Sequence, residues 1–243
     1  VSPNRMPKLI PKNRYPVITG KVDIRARFTV FFITLCTFVS SYSWSAQHPE
    51  YFSGVGIRLD LGMEYGGPLF FTHYSFIGMD PRALNVDGFD LYERNKAHSL
   101  IHYRYAIDNP KGHAGLGADL WGFTSSDDPL VGYTSHHPNT DAENGTVSPT
   151  AAVSSIVYTP EESLGVIRHL YYDLGSKVFG KYGFYDAYNP SMVDGQQVVK
   201  TFLAIDQGPQ VGMIENYRSG LLWDLFMTAP EIQNGLERLG FTK

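Results

Sequence analysis

Gly208-Pro-Gln-Val-Gly-Met-Ile-Glu-Asn-Tyr-Arg-Ser-Gly-Leu-Leu-Trp-Asp-Leu-Phe-Met227 is the stretch whose pattern decides the fold class. Val211, Ile214, Tyr217, Leu221, Leu222, Leu225 and Phe226 recur at the three- and four-residue spacing of one helical stripe. The spacing therefore predicts one long helix over 208–227. Upstream, Thr159-Pro-Glu-Glu162 opens another. Thr159 suits the cap, Pro160 the first helical position, and Glu162 completes a capping box. Leu164, Ile167, Leu170 and Tyr171 form its inward stripe. Residues Asp87–Ile107 read as a third helix, with Leu91, Tyr92, Asn95, His98 and Leu100–Ile101 on one side. Asp108-Asn-Pro-Lys-Gly112 stops it, because the residue before proline avoids the helical region and glycine suits a cap. Pro230 starts a last short helix ending near Gly240. Tyr51–Arg82 is broken by glycines, with Pro68–Ile77 as an apolar helix or turn. No segment alternates convincingly as a strand, so the class is mainly α.

Between these helices lies a long, polar, glycine-rich run from Lys111 to Tyr158 with no clear period. Inside a compact domain such a run is expected to be a functional loop. Charge narrows what it could serve. Lys and Arg number 20 against 24 Asp and Glu, a net charge of −4 that lacks the basic footprint of a nucleic-acid binder. Aromatic residues make up 14%. Their faces stack on sugar rings, though a packed core accounts for most of them. The single cysteine, Cys36, allows neither an intramolecular disulfide nor a multi-cysteine zinc cluster.

The first fifty residues differ. A basic flank precedes the apolar run from Phe28 to Val39, and small residues follow to Ala46. This is the order of a secretory signal, and the run is short of the roughly 20 residues of a membrane-spanning helix. The stretch 28–46 therefore predicts export to the periplasm or exterior; a buried apolar segment accounts for the same run.

Hydrolysis of a glycosidic bond needs two carboxyls, one to protonate the leaving oxygen and one to attack or to activate water. The candidates are Asp127, Asp128, Glu161, Glu162, Asp186 and Asp206. Asp206 stands out: it follows Phe202-Leu-Ala-Ile205 and precedes Gln207-Gly208-Pro209, where the positive end of a helix dipole favours an ionised base. A plain helix cap explains the same position. Glu215 and Arg218, at i and i+3, are accounted for by a salt bridge, and Glu161 and Glu162 by capping. His73, His136 and His137 have no partners at metal-ligand spacing, so no metal is expected. There is no phosphate-cradling glycine loop and no nucleophile elbow, and Gly115-Leu-Gly-Ala118 does not meet the dinucleotide fingerprint.

Several stretches, in order, resemble one family. They are Tyr65-Gly-Gly-Pro-Leu-Phe-Phe-Thr-His-Tyr-Ser75, Ile107-Asp-Asn-Pro-Lys111, Trp121-Gly-Phe-Thr-Ser-Ser-Asp127 and Ser148-Pro-Thr-Ala-Ala152, then Tyr158-Thr-Pro-Glu-Glu-Ser163, Tyr182-Gly-Phe184, Ala204-Ile-Asp-Gln-Gly-Pro209 and Met213-Ile-Glu-Asn-Tyr-Arg-Ser-Gly-Leu-Leu-Trp223. Together they resemble the glucoamylase-like domain of endo-β-1,2-glucanases and cyclic β-1,2-glucan synthases. The resemblance implies an (α/α)6 toroid and an inverting hydrolase of β-1,2-linked glucan that needs no cofactor. It places Asp206 at the general base. It implies a sugar cleft lined by the loops bearing His73, Trp121, Asp127 and Glu161. Tyr74 is a further candidate for sugar binding, Trp121 is expected to be a stacking platform, and Glu215 and Arg218 are expected to orient groups around the base. In the family the general acid belongs to a long N-terminal half. Here residues 1–50 match none of it and carry one glutamate, Glu50. Residues 51–243 are thus expected to form the C-terminal half of the domain, about half a toroid, completed by an N-terminal half or by self-association. The alternative is a catalytically inactive remnant or sugar-binding module without the acid.

Overall fold

The computed structural model describes residues 54–241 apart from Leu61 and Asp87. Residues 1–50, with the signal-like stretch 28–46, lie outside the described residues. In chain order the helices are α1 (Phe70–His73), α2 (Leu91–Asp108), α3 (Pro149–Ser154), α4 (Pro160–Arg168), α5 (Ala204–Ser219), α6 (Leu221–Met227) and α7 (Pro230–Arg238). Between them lie four antiparallel two-stranded ribbons: β1–β2 (Asn85–Val86 and Phe89–Asp90), β3–β4 (Ser125–Asp128 and Gly132–Ser135), β5–β6 (Phe179–Gly180 and Gly183–Phe184) and β7–β8 (Ala187–Tyr188 and Val198–Val199). No helix among the described residues is long and apolar enough to cross a membrane.

The third predicted helix forms as α2, starting at Leu91 because the Asp90 carboxylate accepts the Tyr92 and Glu93 N–H groups (2.8 and 3.0 Å). Its cap is Asn109, at φ 40°, rather than a glycine. Asparagine tolerates the left-handed conformation, and the following proline keeps it out of the right-handed helical region. Leu91, Asn95, His98, Ile101, His102 and Tyr105 face inward.

Three expectations are corrected. The run from Lys111 to Tyr158 is no open loop. Trp121, Phe123, Val147, Ala151 and Ala152 are buried in the larger core, and β3–β4 and α3 form within it. The strand Ser125-Ser-Asp-Asp128 has poor strand propensity. Its Asp128 is held by Thr146 Oγ1 (2.6 Å), Asn144 Nδ2 (2.8 Å) and the Leu130 and Val131 N–H groups. Every residue of α3 is buried, so it has no polar face to mark a period.

The capping box at α4 does not form. Thr159 Oγ1 donates instead to Ser155 O (3.2 Å), and α4 passes into a π-helical turn over His169–Leu174. The wider turn changes the phase, leaving Tyr171 half-exposed beside buried Leu170.

The helix predicted over 208–227 is two helices. It starts four residues earlier, at Ala204, and breaks at Gly220 (φ 73°). Asn216 bridges the break: its Oδ1 accepts the Leu222 and Trp223 N–H groups, and its Nδ2 donates to Ile77 O at 2.8 Å. Met213, Asn216 and Trp223 face inward, whereas Val211, Tyr217, Leu221 and Leu225 are 46–69% exposed. The pair is apolar on both sides. One side packs on α3 and on the cluster of Phe76, Ile156 and Tyr158, and the other is open to solvent.

Candidate active site

Gly66-Gly67-Pro68 sets the position of everything that follows it. Gly66 has φ 85°, and a Cβ there would lie 2.1 Å from the His98 ring. His98 Nε2 and His102 Nε2 both reach Gly67 O (2.9 and 2.8 Å). A carbonyl only accepts, so both rings carry the proton on Nε2. Nδ1 of His98 is then free to accept from Arg94 Nη1 (3.3 Å). Burial keeps both rings neutral, pushing His98 well below its ordinary value and His102 down to about 3. From this clamp the chain crosses to Phe123 O through the Leu69 N–H (2.9 Å) and to Thr124 Oγ1 through the Phe70 N–H (3.2 Å). The Tyr74 ring stacks on Phe70 (centroids 5.1 Å apart, planes at 27°), and its hydroxyl donates to Asp206 Oδ1 at 3.1 Å.

Asp206 sits in the first turn of α5, 3% exposed. Asp186, fully buried between β6 and β7, accepts the Asp127 N–H at Oδ2 (2.6 Å). Asp127, on β3, accepts from Thr201 Oγ1 (2.8 Å). The Asp186 and Asp206 carboxyls lie within hydrogen-bonding reach of each other. The helix start was expected to keep Asp206 ionised, and magnitudes decide otherwise. Burial first, and the Asp186 charge second, raise it from 3.8 to about 7. That move corresponds to about 4 kcal/mol, whereas a helix terminus contributes about 0.3–1 kcal/mol. Burial raises Asp186 too. Burial and these carboxylates push the Tyr74 and Tyr133 hydroxyls upward, so both remain donors. Asp206, Tyr74, His73, Thr124 and Ser154 border a small cavity of about 10 Å³, room for one water.

The structure therefore joins Asp206, Tyr74 and Asp127, sets His73 on the wall of the same cavity, and leaves the other predicted residues elsewhere. His73 is buried, bonded to Ser155 Oγ (3.0 Å) and pushed down to about 3 by burial, so it forms a cavity wall and no open loop. Trp121 is 0% exposed, its ring edge-on to Tyr103 at 5.8 Å, and it cannot present a face to a sugar. Glu161 is exposed in the first turn of α4 and makes none of the contacts that tie the carboxylates together. Glu215 and Arg218 form the plain pair (3.3 Å) with Ser219 beside them. At 1.5 Å per residue they lie about 14 and 18 Å along the axis from Asp206, too far to orient it. Asp128 is a structural acceptor. Tyr133 is a residue that pattern reading did not name, and Asp186, though among the six candidate carboxylates, was not set apart from them. Asp186 sits between two-residue strands, where no periodicity can mark it. Among the described residues, no group of three or more His, Cys, Asp or Glu could hold a metal ion.

Comparison with known proteins adds three findings. Residues 40–230 match a family model described as "Putative glucoamylase". An exo-β-1,2-glucooligosaccharide sophorohydrolase (non-reducing end) from Parabacteroides distasonis is 40% identical over 184 residues, covering 76% of this chain and 25% of that protein. Among solved structures, an endo-β-1,2-glucanase from Chitinophaga pinensis, in complex with sophorotriose and glucose, matches at 46% identity with a TM-score of 0.76. A "putative glucoamylase" from Bacteroides uniformis matches at 50% identity with a TM-score of 0.74. Each structural match covers 80% of this chain and 46% of the other. The chain thus spans about half the length of these solved relatives and a quarter of the curated one. Its fold corresponds to part of their helical toroid.

Proposed function

The chain belongs to the glucoamylase-like family, and we propose on that footing that it carries the base side of an inverting glycoside hydrolase site for β-1,2-linked glucan. The observation that carries this reading is the buried Tyr74–Asp206 pair at the edge of a water-sized cavity. Ionised Asp206 takes a proton from a water as that water attacks the anomeric carbon. A second carboxyl, about 6.5–9.5 Å away, protonates the leaving oxygen on the other face. Tyr74 holds one Asp206 oxygen, which fixes the direction in which the base accepts. The substrate class is supported by the β-1,2-glucan enzymes among the relatives. We assign the acid to an N-terminal half of the toroid, seated on the exposed stripe of Val211, Leu221 and Leu225, and we assign the protein to the periplasm or exterior on the stretch 28–46.

For these 243 residues by themselves we propose sugar binding without turnover, because Asp206 is the single carboxyl among the described residues lining its cavity. Supplied with the N-terminal half of a family enzyme, it is expected to release a product whose first-formed anomer is α, read by proton NMR during early hydrolysis of β-1,2-glucan. A first-formed β anomer would overturn the inverting assignment.

A further inference from the structure

We propose that Asp186 is a positioning residue that shares a single proton with Asp206, making the two carboxyls an acid–carboxylate couple with one negative charge. Only the catalytic consequence rests on Asp206 being the base. The inference starts from an inventory of donors. Asp186 Oδ2 accepts the Asp127 N–H and Asp206 Oδ1 accepts the Tyr74 hydroxyl. Asp186 Oδ1 and Asp206 Oδ2 remain, both buried and both without a donor. Buried carboxylate oxygens without donors are costly, and two carboxyls within reach of each other do not both ionise. One proton between the two orphaned oxygens satisfies both and removes the repulsion.

The surroundings supply no other remedy. The groups facing the pair are His73 on α1, Tyr74 beyond it, Asp127 on β3 and Tyr133 on β4, and none of them is a cation, since burial keeps His73 neutral. Among the described residues no Lys, Arg or His forms an ion pair with Asp127, Asp186 or Asp206. The shared proton rests on Asp206, and when it passes to Asp186, Asp206 is the carboxylate and can take a proton from water. Both carboxyls are then neutral, and one proton returns to solvent to reset the couple. Asp186 thereby sets how readily Asp206 becomes a base without touching substrate.

The test uses the whole chain labelled with 13C at aspartate carboxyls and follows Cγ shifts against pH. In the wild-type chain one carboxyl should titrate near neutrality. Asp186→Asn can keep the Asp127 contact through its oxygen and donate its NH2 to Asp206. The near-neutral midpoint should then fall by about one pH unit or more, with burial still holding it above the ordinary aspartate range. Asp206→Asn is the reciprocal variant and covers the case in which Asp186→Asn fails to fold: there the near-neutral midpoint should be lost, with Asp186 titrating below it. A near-neutral midpoint that persists in either folded variant, or is missing from the wild-type chain, overturns the couple. The readout needs no turnover. A wrong assignment of the base would show separately, as hydrolysis that survives Asp206→Asn, and would leave the titration untouched.

Discussion

Replacing Tyr74 by Phe removes the hydroxyl that donates to Asp206 Oδ1 at 3.1 Å and leaves the ring stacked on Phe70. The change therefore isolates one hydrogen bond. A hydrogen bond to an ionised group contributes about 1.5–3 kcal/mol, and each 1.36 kcal/mol corresponds to one pH unit. The Tyr74 bond favours the carboxylate, opposing burial and the Asp186 charge, which together bring Asp206 to about 7. Without it the midpoint should rise by about one to two pH units, to roughly 8–9. The assay is the same carboxyl 13C titration, with the Asp206 signal identified by its loss in Asp206→Asn. In a complemented, active enzyme the acidic limb of kcat/KM should move upward by the same interval. An unchanged midpoint in a folded Tyr74→Phe chain would show that the hydroxyl does not support the charged form.

Gly66→Ala should cost about 3 kcal/mol or more in urea unfolding, from a φ of 85° and a Cβ driven into His98. Gly88→Ala, with the same φ and open space around it, should cost only about 1–2 kcal/mol, and equal losses would discount the His98 contact. Trp121→Ala should destabilise by about 3–5 kcal/mol as a core truncation; a loss of sugar affinity at unchanged stability would return Trp121 to the cleft. Buried His73 and His102, both lowered to about 3, contribute stability that is present above about 6.5 and lost as pH falls toward 3. Urea midpoints measured across that window should therefore decline on acidification. Asp206 has the opposite sign: its value is raised, so its contribution is present below about 3.8 and lost as pH rises through about 7. Asp206→Asn should accordingly gain stability relative to wild type at pH 8 but not at pH 4.

What could be read in advance follows from where pattern and packing coincide. The helix at 91–108 was legible because one face packs and the other is wet. The clean break at Gly220 was not, since Leu221 and Leu222 continue the apolar spacing across it and only Asn216, whose Oδ1 accepts the Leu222 and Trp223 N–H groups beyond it, reveals the turn. The buried run around Trp121 and Ala151 looked like loop because its polar side chains satisfy one another internally, and composition records polarity without recording partners. In the site, Asp206 was visible through its neighbours in the chain. Asp186 lies 20 residues earlier, and its relation to Asp206 exists only in three dimensions. The helix-start argument also had the wrong sign for Asp206, because local sequence reports the dipole and not the burial that outweighs it. Tyr74 was placed by its motif, and the structure supplies the reason: the two-histidine clamp on Gly67 aims that segment at α5.

The most direct test of Asp206 as the base of a β-1,2-glucan-hydrolysing site is hydrolysis of β-1,2-gluco-oligosaccharides by this chain co-expressed with the N-terminal half of the Chitinophaga pinensis endo-β-1,2-glucanase, set against the same complex carrying Asp206→Asn. The wild-type complex should hydrolyse and the chain alone should not. The variant should lose about 10²–10⁴-fold in kcat while retaining oligosaccharide binding. A variant complex that hydrolyses at the wild-type rate would place the base elsewhere.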